Sequence, residues 1–260
     1  MGLFKGGNPA ISEKTFEQVR HFEGEAMTVR GTLNKFGLMF IMLLGGASFT
    51  WSMFYQILDK AGVAAAGAAV MPWMWGSLIG GLVLSLVIIF KKTWAPYLAL
   101  GYGLLEGLFL GAISAFYYFA FAASYPSIIM HAVLLTFGCA AAMYFLYKTG
   151  VIRATNTFKK VIMTATAGIA IFYLISMVLR LFGIQMPYLH DSSPIGILIS
   201  LVIVVIASLN LILDFDMMEQ GAAEGAPKYF EWYCAFGLMV TIVWLYLEIL
   251  RLLGKLSSRD

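Results

Sequence analysis

Glu106 sits inside an apolar run, GYGLLEGLFLG (101–111), about ten residues into a stretch long enough to cross a bilayer. A carboxylate at that depth is costly, so it is expected to be protonated, paired, or turned toward a water-filled cavity. Gly103 and Gly107 leave room beside it for another helix or for water. The chemistry open to such a group is cation or proton passage. A neutral acid hydrogen-bonded to a neighbouring helix is the plainer alternative.

A second concentration of acids lies in SLNLILDFDMMEQG (208–221). Asp214 closes an apolar run, and Asn210 stands four residues earlier on the same helical face. Asp216 is turned off that face, and Glu219 lies further along the chain. The next apolar stretch opens at Glu231. A turn near Ala222 and Ala223 would return Glu231 to the depth of Asp214. Two carboxyls at one mouth share a proton more readily than they hold two charges. They also offer hard oxygen ligands to calcium. Asp214 and Glu106 are thus candidate transient oxygen ligands for a passing cation, and no bound cofactor is expected. An acidic loop that merely solvates its helices explains Asp216, Glu219 and Glu224 about as well. Further on, Glu248 in WLYLEILRLLGKL has Arg251 three residues later, spaced for an ion pair across one turn. Guarding the opposite entrance of a pore is the other reading of Glu248. Arg30, just ahead of the first apolar stretch, is a candidate latch for the acidic mouth as well as an orientation signal.

The elements that must position these groups are membrane helices. The 260-residue chain is 61 % hydrophobic and 12 % charged, unlike an ordinary soluble domain. Seven apolar stretches are expected to span a bilayer: 36–55, 73–90, 95–116, 128–147, 160–182, 194–214 and 231–250. Runs such as Leu78 to Phe90 do not alternate, which excludes barrel strands. The fold class is thus an all-α polytopic membrane protein. It divides into a polar arm (1–35) and a seven-span membrane domain (36–260). With five basic and four acidic residues, the arm does not resemble a signal peptide, and residues 12–35 suit an interfacial helix.

Twelve Lys and Arg fall on the side of the arm and five on the other, which predicts a cytoplasmic N-terminus. Seven spans would then put the C-terminus outside, although Arg251, Lys255 and Arg259 weigh against that. Glycines in the first three spans, Gly107 and Gly111 among them, allow close helix packing. Trp73, Trp75, Trp94, Trp232 and Tyr233 read as interfacial anchors. Cys139 and Cys234 read as small buried apolar residues, and the scattered histidines, His131 and His190 among them, do not form a metal site. A net charge of +3 is too small and dispersed for nucleic acid. No HExxH, serine elbow or phosphate loop marks an enzyme.

The strings MTVRGTLNKFG (27–37), LLEGLFLGAIS (104–114), LDFDMMEQG (213–221) and KYFEWYCAFGLMVTIVWLYLEILRLL (228–253), in this order among seven spans, resemble the Bax-inhibitor family. This is also called the transmembrane Bax inhibitor motif family, and the likeness is to its bacterial branch. The resemblance implies six helices bundled around a central last helix, and a pH-sensitive calcium leak in a bacterial inner membrane. It implies an acidic pair that couples protonation to closure. The first position falls on Asp214 and the second on Glu248, where the family usually carries aspartate. Thirty-four residues separate the two, longer than the usual family spacing. At 1.5 Å per residue Glu248 would stand roughly 30 Å up its helix, which leaves Glu231 as the depth match for Asp214. Some bacterial relatives are associated with control of membrane proteolysis, so a regulator that binds a membrane protease or other membrane protein is the alternative. A proton-coupled transporter is a third.

Overall fold

The computed structural model describes residues 25–183 and 192–258. Most of the expected interfacial helix, residues 12–24, lies outside the described residues, as does His190. Apart from one isolated antiparallel bridge between Ala26 and Pro227, the regular structure described is helical. Val29–Phe90 forms α1, and a 3₁₀ turn at Lys92–Trp94 leads into Ala95–Phe121 (α2). Ile128–Lys148 (α3), Asn156–Leu181 (α4), Pro194–Ala223 (α5) and Phe230–Ser257 (α6) complete the series. All six α-helices are long and apolar enough to cross a membrane, which makes this a multi-pass membrane protein.

Among the described residues six long helices stand where seven spans were expected, because the stretches 36–55 and 73–90 both fall within α1. Sixty-two residues in one straight helix would measure about 93 Å. That is some three times the hydrocarbon core. Gly62 interrupts the helix with φ 79° and ψ 175°, a conformation open to glycine because it has no Cβ. The chain then doubles back. Phe49 and Trp73 lie on opposite sides of Gly62, yet their ring centroids are 5.1 Å apart. The α1 helix is thus a hairpin with two apolar arms.

The helices pack as two units. One comprises residues 25–126 and 217–240. Here Gly103, Gly107 and Gly111 of α2, one turn apart, face Met39, Leu43 and Ala47 of the first α1 arm, also one turn apart. A Cβ on Gly103 would stand 2.7 Å from the Met39 carbonyl oxygen, and one on Gly107 would overlap that of Leu43. In lipid, where apolar contact gains little over acyl chains, such backbone approach holds helices together. The Thr50 hydroxyl adds a hydrogen bond to the Leu108 carbonyl at 3.0 Å. Near the hairpin, Phe54, Ala66 and Val70 of α1 bury against Ala112 and Ala115 of α2.

The other unit comprises residues 127–216 and 241–258. Tyr144 of α3 meets Phe215 of α5 edge-on at 5.3 Å. The Asn210 amide of α5 donates to Thr166 of α4 at 2.8 Å. Near the end of α6, the buried Lys255 ammonium donates to the Gly196 carbonyl in the first turn of α5 at 2.9 Å.

Helices α5 and α6 run through both units. The 30 residues of α5 span about 45 Å, longer than a bilayer's hydrocarbon core. Asp214, Asp216 and Glu219 all stand on this helix rather than in a loop. The chain turns later than expected, at Gly225 (φ 71°), where Ala226 N–H donates to the Gly221 carbonyl. That left-handed glycine cap ends the helix by satisfying its last carbonyls.

Candidate functional site: buried carboxylates and their partners

Glu231 opens α6 with a side chain excluded from solvent. Its Oε1 accepts from the Thr28 backbone N–H at 2.8 Å and from the Thr28 hydroxyl at 3.2 Å. Its Oε2 is paired with the Lys35 ammonium. Lys228 adds a second cation, 3.4 Å from Oε1 and 3.5 Å from Oε2 of Glu25. Thr28 is also the N-cap of α1, accepting from Gly31 N–H at 2.9 Å while donating to Glu231. A Cβ at Gly31 would overlap the carboxyl, so glycine there makes room for the acid. The Met27 N–H donates to the Ala226 carbonyl at 2.7 Å and completes the clasp between the start of α1 and the α5–α6 turn. Glu231 beside it holds the Lys228 ammonium above the usual lysine range, with Glu25 contributing. Arg30, five residues before Lys35, is exposed.

Glu106, in the same unit, is hydrogen-bonded to Tyr102 one turn earlier on α2. A Cβ on Gly81 of the second α1 arm would come within 3.3 Å of its Oε1. Gly103 and Gly107 make room for another helix, as expected, by packing against α1 backbone, and Gly81 on the facing arm adds space at the carboxyl itself.

In the other unit, Asp214 is hydrogen-bonded to the Thr241 hydroxyl of α6. Its Oδ2 is buried without a hydrogen-bond partner among the described residues. An unmatched buried oxygen is expensive, so such atoms point to a bound proton, water or ion. Asn210 faces Thr166, and Asp216, two residues beyond Asp214, is paired with Lys159 of α4.

Glu248 lies in the same unit, buried within a network of four side chains. Arg251 NH1 reaches both carboxylate oxygens, at 3.0 and 2.9 Å. The Tyr173 hydroxyl donates to Oε1 at 2.8 Å and accepts from Arg251, whose guanidinium lies 5.0 Å from the Tyr173 ring centroid. Trp244 Nε1–H donates to Oε1 at 3.2 Å. Arg251, Tyr173 and Trp244 thus hold Glu248 as the acid of an ion pair within the bundle.

Within its own unit each expected acid has its own partners. Asp214 meets α6 at Thr241, whereas Glu231 lies ten residues earlier in that helix and Glu248 seven residues later. No cluster of three or more His, Cys, Asp or Glu suited to a metal occurs among the described residues. Sequence reasoning missed Tyr173, Thr241, Lys35, Thr28 and Lys159. Trp244 and Tyr102 had a usable signal, since each stands four residues before an acid on its own helix.

Long apolar helices, a glycine-packed hairpin and interior carboxylates held by specific donors define a multi-pass membrane protein with built-in polar centres. The chain belongs to the Bax inhibitor 1 like family, whose model matches residues 8–258. No curated protein and no solved structure matches it.

Proposed function

We propose that the protein is a pH-sensitive cation leak of a bacterial inner membrane, with calcium as cargo and its N-terminus in the cytoplasm. The observation that supports this reading is Asp214, whose Oδ2 is buried and unmatched while its carboxyl engages only Thr241 among the described residues. Protonation turns one carboxyl oxygen from acceptor to donor and removes a charge. Either change alters how α5 holds α6, and so biases a closed packing against an open one. A carboxylate oxygen left over in this way is also a transient calcium ligand, weak enough to release its ion. Glu106 is the second candidate ligand in our reading. Glu231 and Glu248 fit better as charged fixtures of the fold, since each already has cationic partners.

Calcium flux into vesicles containing the purified protein, followed from mildly acidic to mildly alkaline pH, tests the proposal. Protein-dependent flux with a pH response altered by Asp214→Asn supports it. Flux of protons without calcium would favour proton-coupled transport. Folded protein that passes no ion would favour a regulator of membrane proteolysis acting through its helix surfaces.

A further inference from the structure

Asn210 stands one turn before Asp214 on α5, and the two share a face of that helix. Its amide nitrogen donates at 2.8 Å to the Thr166 hydroxyl of α4 and at 2.8 Å to the Ile206 carbonyl of its own helix. A backbone carbonyl only accepts, so the nitrogen must face Ile206 and the orientation of the amide is fixed. Both N–H donors are thereby used, and Oδ1 is turned away from both partners. Neighbouring polar side chains of α5 are engaged elsewhere. The Ser208 hydroxyl bonds back to the Val204 carbonyl at 2.8 Å, and Asp216 is paired with Lys159 of α4. Two oxygen acceptors one turn apart are left on this face, Asn210 Oδ1 and the unmatched Asp214 Oδ2.

We propose that Asn210 Oδ1 and Asp214 Oδ2 form a two-oxygen binding site for calcium, with Thr166 holding the amide and Thr241 the carboxyl. The assignment rests on the cation-leak reading and supplies a second ligand at its Asp214 site. Residues one turn apart on a helix hold their Cβ atoms about 5–6 Å apart. Two calcium–oxygen bonds of about 2.3–2.6 Å bridge that gap when the side chains converge. The carboxylate brings charge and the amide carbonyl a neutral hard oxygen, with water completing the shell. So few protein ligands bind weakly and reversibly, as passage requires. A neutral second ligand also suits the surroundings, since a second carboxylate would add another charge to an apolar bundle.

The test follows thermal unfolding of the full-length protein in nanodiscs as calcium is raised to about 10 mM, against choline chloride at equal ionic strength. A cation that binds the folded state stabilises it by mass action. Wild type should show a calcium-dependent rise in Tm, and Asp214→Asn should abolish it. Asn210→Ala should raise the calcium concentration for half-maximal effect at least about tenfold. Thr166→Val keeps Oδ1 but frees the amide, and should shift that concentration in the same direction by less. Ser208→Ala should leave it unchanged. If Asn210→Ala does not fold, Thr166→Val carries the comparison. Calcium flux into vesicles with the same variants separates this site from the leak itself. Leak through wild type, with calcium binding indifferent to Asn210 and Thr166, would overturn the site and leave the leak standing. Calcium binding that is lost in Asn210→Ala, without any leak, would support the site and sink the leak. No calcium-dependent stabilisation of wild type would overturn the site, leaving water or a proton at Asp214.

Discussion

Glu248 and Arg251 form an ion pair one turn apart on α6, with one guanidinium nitrogen within 3.0 Å of both carboxylate oxygens and the acid almost wholly buried. Buried pairs are asymmetric: losing one partner strands a charge, whereas losing both need cost little. Arg251→Met should destabilise the protein by about 3–5 kcal/mol. Combining it with Glu248→Gln should recover much of that loss. Unfolding in detergent across the four variants reads the coupling, and additive losses would show that the pair is not one unit.

Tyr173 links α4 to this pair by donating to Glu248 and accepting from Arg251. Tyr173→Phe keeps the ring under the guanidinium and removes both hydrogen bonds. A loss of about 1–3 kcal/mol is expected, since charged partners are left short of a bond. A neutral result in the same unfolding assay would mean that water replaces the hydroxyl.

The clasp around Glu231 should respond unequally to its two lysines. Lys35 meets an acid with no solvent access, so Lys35→Gln should loosen the start of α1 strongly. Lys228 is 45 % exposed, and Lys228→Gln should have a small effect that salt suppresses. The sign with pH is fixed by the raised Lys228 pKa. Its contribution is complete below the unfolded lysine value of about 10.4 and is lost as pH rises through the higher folded value. The difference in thermal stability between wild type and Lys228→Gln should therefore be flat through neutral pH and vanish only in strong alkali.

Two glycines that look alike in sequence should behave oppositely. Gly107→Ala would drive a methyl group into the Leu43 backbone and is expected to cost about 1–3 kcal/mol. Gly138 in α3 has nothing within 4 Å of a would-be Cβ. Gly138→Ala should be neutral, or stabilise by up to about 1 kcal/mol through helix propensity. Melting temperatures of the two variants side by side decide the matter.

Composition and run length alone determined that this is an all-helical membrane protein, and roughly where its apolar segments lie, because the bilayer demands long uninterrupted apolar helices. The Glu248–Arg251 pair was also legible, since both partners share a helix and a turn. Helix count was not: 36–55 and 73–90 read as separate spans, and only the backbone at Gly62 determines how α1 joins and folds them. The remaining centres depended on tertiary structure for the same reason. Lys35 and Glu231 are 196 positions apart, and Tyr173 and Glu248 are 75 apart. Which face of one helix meets which face of another is set by packing and rotation, and apolar sequences with little amphipathic pattern carry no local record of it.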